Sequence, residues 1–193
     1  MFNENAAVTD SVSATAQTTK GLGEGARGGG VFKIQCFDKD GNLKWEDKAH
    51  NLVVNVGLQD MNDKYFSGSA YTASWYLGLV TGPGAGNTYA AGDTLGTHLG
   101  WSEFTDYSGN RKLVTFGGAS LLDPSVIDNS GSPSQFVITG TPTNPVAGAF
   151  LTNVATGTSG ILFSVSNFQS PGDRTVVAAD TLNVTYEFSL DAA

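Results

Sequence analysis

Cysteine occurs once in the 193 residues, as Cys36, so the chain cannot close an intrachain disulfide and no oxidised framework supports it. Charge is scarce, with Asp, Glu, Lys and Arg making up 15% of the residues, where about 25% is usual. Basic side chains are scarcer still: 10 against 18 acids gives a net charge of −8 and a pI near 4.5. Nucleic-acid backbones and anionic membranes are gripped through clustered Lys and Arg, so neither is expected as a partner. No run approaches the roughly 20 continuous apolar residues of a bilayer span. The opening MFNENAAVTDSVSATAQTTK lacks the basic start and apolar centre of a secretory signal. The expectation is a protein made and used without export.

Chemical motifs are equally sparse. His50 and His98 lie 48 positions apart without Cys neighbours, which gives no zinc pattern. TGPGAGNTY offers glycines but not the Lys-Ser/Thr that holds phosphate and metal, and no dinucleotide fingerprint or GxSxG occurs. No cofactor or metal is expected. Asp38, Asp40 and Asn42 space oxygen ligands as at the start of a calcium loop, but Gly41 comes too early and Lys39 and Lys44 intrude, so a hairpin turn is expected. Asn183-Val184-Thr185 satisfies the glycosylation pattern but falls within an expected strand. Cys36 alternates with Phe32 and Ile34 and reads as a small buried hydrophobe.

What the chain has in quantity is glycine, 25 residues, with much Ser, Thr and Ala, plus 3 Trp, 6 Tyr and 11 Phe. That is the composition of an all-β protein with many turns and a sizeable core. Its character changes near residue 31. Residues 1–30 hold few large apolar side chains (Phe2, Val8, Val12, Leu22) and end in GLGEGARGGG. Such a segment cannot bury enough surface to offset its ordering entropy. It reads either as a disordered tail or as an arm that orders against a neighbouring subunit, with the glycine run as hinge. The expected division is 1–30 arm and hinge, 31–193 folded domain.

From Val31 the pattern alternates, and Asp40-Gly41 marks a hairpin between VFKIQCF and NLKWED. Val54, Leu58, Met61 and Tyr65 then fall at helical spacing, predicting a helix over about 55–66 with Asn55 as N-cap. TASWYLGLV reads as a strand and 81–100 as a long surface loop with one helical turn at 93–99. WSEFTDY, RKLVTFGG, SQFVITG, AGAFLTNVA, SGILFSVSNF, RTVVAA and DTLNVTYEFSL read as further short strands. In the last, Leu182, Val184, Tyr186, Phe188 and Leu190 mark one buried face. About nine such segments with frequent turns predict a β-sandwich or jelly roll with one short helix and an extended N-terminal arm.

Paired carboxylates can hydrolyse glycosides, and Glu46-Asp47, Glu103 and Asp106 are the candidates here. Glu103 and Asp106 lie among Trp101, Phe104 and Tyr107, which read either as a sugar-binding face or as a core strand with solvated outer positions.

GGGVFKIQCFDKDGNLKWEDKAHNLVVNVGLQDMNDKYF, SWYLGLV, AAGDTLGTHLGWSEF and DTLNVTYEFSL, in that order, resemble a group of small virion structural proteins of tailed bacteriophages. The resemblance spans roughly Gly28–Leu190, and residues 1–27 lie outside it. It implies a decoration, cement or minor structural protein of the virion, with no catalytic residues to carry over.

The leading expectation is a cement protein on the capsid exterior that bridges neighbouring major capsid proteins. Its contacts would come from the arm and hinge, namely Phe2, Val8, Val12, Leu22, Arg27, Gly28, Gly29 and Gly30. A homo-oligomer is expected, with a trimer as one form. The alternatives are a tail- or fibre-associated module binding a host glycan through exposed Trp101 or Tyr89, and a carbohydrate-active enzyme using Glu103 or Asp106.

Overall fold

A computed structural model describes residues 26–71, 74–168 and 172–192. It is an all-β sandwich. One sheet contains β1 (Ala26–Phe37), β2 (Leu43–His50), β7 (Ser125–Asp128), β8 (Ser134–Val137) and β11 (Thr181–Ala192), in the order β2-β1-β11-β7, with β8 also on β11. The other contains β3 (Leu52–Val53), β4 (Trp75–Thr81), β5 (Glu103–Phe104), β6 (Lys112–Val114), β9 (Val146–Thr152) and β10 (Leu162–Asn167), in the order β3-β10-β9-β4-β5, with β6 also on β4. Every pairing is antiparallel.

The first sheet obeys the period of two. Phe32, Ile34 and Cys36 of β1 and Leu182, Val184, Tyr186 and Phe188 of β11 point inward, against Leu77, Leu79, Ala149, Leu151 and Phe163 of the second sheet. Lys33, Gln35, Glu46, Lys48, Thr185 and Glu187 line its outer face. The second sheet is covered on both sides, and all seven residues of β9 are buried. Its far face packs Val80, Phe150, Leu162 and Val165 under Val54, Leu95 and Trp101. The segment read as a loose surface loop is therefore a lid on a second core. It has one 3-10 turn, at Gly84–Gly86, rather than at 93–99.

The hinge expectation is overturned. Arg27 and Gly28–Gly30 belong to β1 and pair with Asp191, Leu190, Ser189 and Phe188 of β11. The division at residue 30 thus falls inside a twelve-residue strand. Composition misled because these glycines fit a crowded ladder: a Cβ on Gly30 would stand 2.7 Å from Tyr186 Oη, and one on Gly28 3.2 Å from the Phe188 ring. Phe2, Val8, Val12 and Leu22 lie outside the described residues.

The helix α1 spans Asn55–Tyr65, with Val54 rather than Asn55 as N-cap and no side-chain capping bond. Its apolar positions divide, with Val54 buried and Met61 packed on the core. Leu58 and Tyr65 are exposed, while Gly57 and Asp60 are buried. Gly57 sits directly on β10, where a Cβ would lie 2.6 Å from Phe163 O, so close backbone approach sets the helix orientation. Lys64 bonds Asp60 at 2.9 Å, which pairs the buried carboxylate. RTVVAA forms no strand beyond a single bridge from Arg174 to Val146, whereas β7 was hidden by the turn residues around it.

Candidate interaction surfaces

Of the four candidate carboxylates, Glu103 and Asp47 are held in ion pairs and Glu46 and Asp106 face solvent. Arg111, buried at 8% exposure, grips Glu103 with two bonds (Nε to Oε1, 2.9 Å; Nη2 to Oε2, 2.7 Å) and donates to Val154 O and Gly157 O. Its guanidinium also lies over Phe150. A carboxylate held this way is committed to neutralising a buried cation. Asp106 is exposed, and its main-chain carbonyl accepts a bond from Thr139. Glu46 faces solvent, while Asp47 turns inward to Arg174, whose Nη2 lies 2.8 Å away.

The expected sugar platform is also core. Trp101 is 6% exposed, stacks on His98 at 3.7 Å and donates from Nε1 to Asp93 at 3.3 Å. Tyr89 packs against the same cluster, with its hydroxyl on Asn167. Burial pushes the Tyr89 hydroxyl well above the usual phenol range. Cys36 is fully buried, and burial, with Asp180 nearby, pushes its thiol from 9.0 up to about 12. A thiol so protected is not a nucleophile.

Asp38 closes the β1–β2 hairpin by accepting from the N–H groups of Asp40 (2.8 Å) and Asn42 (2.9 Å), with Gly41 at φ +83°. The Asn42 side chain, followed by these main-chain bonds, holds the Asp38 carboxyl below its ordinary range. Among the described residues no cluster of three or more His, Cys, Asp or Glu is placed to hold a metal.

Two features offer contact surface instead. Tyr65, the last residue of α1, and Phe66 and Tyr71 after it stand at 80% exposure or more, with the first two rings 4.9 Å apart. Leu121 and Leu122 are fully and largely exposed in the turn before β7. That turn is tied to the end of β11: Asp123 accepts from Ala192 N–H at 3.2 Å, and Ser125 pairs with Leu190. Tyr65 entered the sequence reading only as a member of the helical spacing, so the first group was missed. The adjacent Leu121-Leu122 between turn residues was a signal for the second. A concave groove of 760 Å³ on the outer face of the first sheet is lined by Lys33, Gln35, Glu46, Lys48, Thr185 and Glu187 and carries no aromatic side chain. No family model matches this chain, and no curated protein or solved structure matches it either.

Proposed function

We propose that this chain is a structural protein of a tailed-phage virion, a decoration or cement protein that binds the outside of the capsid shell and bridges neighbouring major capsid proteins. The resemblance over Gly28–Leu190 supports the class. The observation that carries the binding role is the exposure of Tyr65, Phe66 and Tyr71, each at 80% or more, at the end of α1, where Leu58 is exposed as well. Aromatic side chains held out in water, with Tyr65 and Phe66 packed only edge to face on each other, are the composition of an interface centre. The acidic balance of the domain suits the outside of a shell rather than packaged DNA.

The test is titration of the purified chain onto phage shells that lack it. Saturable binding at a fixed ratio to the major capsid protein is expected, and replacing Tyr65 and Phe66 together with Ser should weaken it by about 30-fold or more, as for interface anchors. Undiminished binding of that variant, or no binding of the parent chain, refutes the reading.

A further inference from the structure

We propose that the outer edge of β1 at Ala26–Gly29 is a docking site for an added strand, and that its occupant is the leading segment, residues 1–25, of a second copy of this chain. The inference stands on β1 and the sequence before it and holds whether or not a shell is the partner.

β11 pairs with β1 along all of Ala26–Phe37, whereas β2 begins its pairing only at Val31, opposite His50. Just before that point the Asn51 N–H donates to Gly30 O at 3.0 Å, so the Gly30 carbonyl faces away from β11. Alternation by two turns the N–H and C=O of Gly28 and Ala26 to the same side. Among the described residues no main-chain group meets them there. Arg27 and Gly29 face β11 instead, and Ser189 Oγ reaches Gly29 O. The open edge thus carries two donors and two acceptors at strand spacing, with no side chain on Gly28 or Gly29 to obstruct approach, which is the arrangement used in strand addition.

Three observations select the occupant. Residues 1–20 contain neither Pro nor Gly, so every position after the first brings a main-chain N–H donor, and Val8, Thr9, Val12, Thr15, Thr18 and Thr19 favour extended backbone. The acids in that stretch are Glu4 and Asp10, with no basic residue before Lys20, and the edge carries Arg27. With Asp10 opposite Arg27 the two form a non-hydrogen-bonded pair, the closer kind, with Cα atoms about 4.5 Å apart. Lastly, 25 residues extended reach about 80 Å, ample to cross to a neighbour.

Other occupants fit worse. Pairing two β1 edges with Ala26 opposite Gly28 sets Arg27 against Arg27, a like-charge pair. A tight reversal within the same chain lays Gly21 and Gly23, poor strand formers, along the edge and brings Lys20 toward Arg27. Exchange between copies lets each chain give one arm and receive one, closing the assembly.

The experiment uses the full-length chain alone, without capsids, so that its failure is separate from failure of the shell-binding reading. Sedimentation equilibrium should show reversible, concentration-dependent association. Arg27→Glu and Asp10→Arg should each weaken it five-fold or more, and the double swap should restore it. Ala26→Pro removes an edge donor while sparing the β11 ladder, and should also weaken association. In a chain carrying both Asp10→Cys and Arg27→Cys, oxidation should link two differently tagged copies. A chain monomeric at every concentration, or a disulfide formed only within one chain, overturns the proposal.

Discussion

The side-chain carbonyl of Asn129 accepts the main-chain N–H of Tyr186 at 2.7 Å, and its amide donates to Val184 O at 3.3 Å. Asn129 thereby fills the gap on the edge of β11 between β8, which ends opposite Val184, and β7, which begins opposite Glu187. At 1% exposure there is little access for water to replace it. Asn129→Ala leaves a buried N–H without its partner and should cost about 2–3 kcal/mol. The check is a lower urea midpoint with an unchanged denaturant slope. Equal midpoints would show that the gap is closed some other way.

Gly57→Ala tests the seat of the helix. In an exposed helix the change should stabilise by about 1 kcal/mol. Here the new methyl meets the Phe163 carbonyl at 2.6 Å, an atom of rigid backbone. Overpacking should outweigh propensity and give a net loss of about 1–3 kcal/mol. A gain in melting temperature would mean that α1 lifts off β10 at little cost.

Glu103→Gln separates structure from chemistry. Arg111 would keep its charge and one bond, to the Gln carbonyl oxygen, while losing the counter-charge and the second acceptor, and breaking a buried pair from one side costs roughly 3–5 kcal/mol. Because Glu103 is 24% exposed on its side chain, the loss should fall at the lower end of that range. Replacing both, Glu103→Gln with Arg111→Met, should recover part of it. Loss of stability in the single variant and recovery in the double, measured by thermal unfolding, identify an ion-pair role.

Alternation made the first sheet readable in advance: one inward face from Phe32 to Cys36 and another from Leu182 to Phe188 are a direct projection of sequence onto a half-buried sheet. In the second sheet the strands after β4 were read as apolar runs without an inward face, since strands buried on both faces lose their period, and only the two-residue β3 escaped, as β7 did in the first sheet. The helix position was legible, with Val54 and Met61 turned to the core, but its closest contact was not, because it is made by Gly57, a residue with no side chain. The candidate surface failed for a related reason. Glycine in Gly28–Gly30 signals freedom when read alone, and becomes a fitted ladder residue only once Phe188 and Tyr186 are known to stand opposite.

Alkaline pH should loosen the fold in a calculable direction. Burial raises the Cys36 thiol from 9.0 to about 12, and it raises the hydroxyls of Tyr89, Tyr107 and Tyr186 above their ordinary 10.0. Each folded group keeps a proton that the unfolded chain releases, so the unfolded state binds fewer protons and stability falls as pH rises. The contribution is complete below about pH 9, and is lost progressively from there through 12. Urea midpoints measured from pH 7 to 11 should therefore be flat on the neutral side and then decline. Cys36→Ala should shallow the early part of the decline, leaving the tyrosine part in place. In parallel, a thiol reagent at pH 8 should leave the native chain unlabelled and modify it fully in urea, since the thiolate is both suppressed and enclosed. Rapid labelling of the native protein, or midpoints that climb toward pH 11, would mean that Cys36 does not sit sealed between the two sheets.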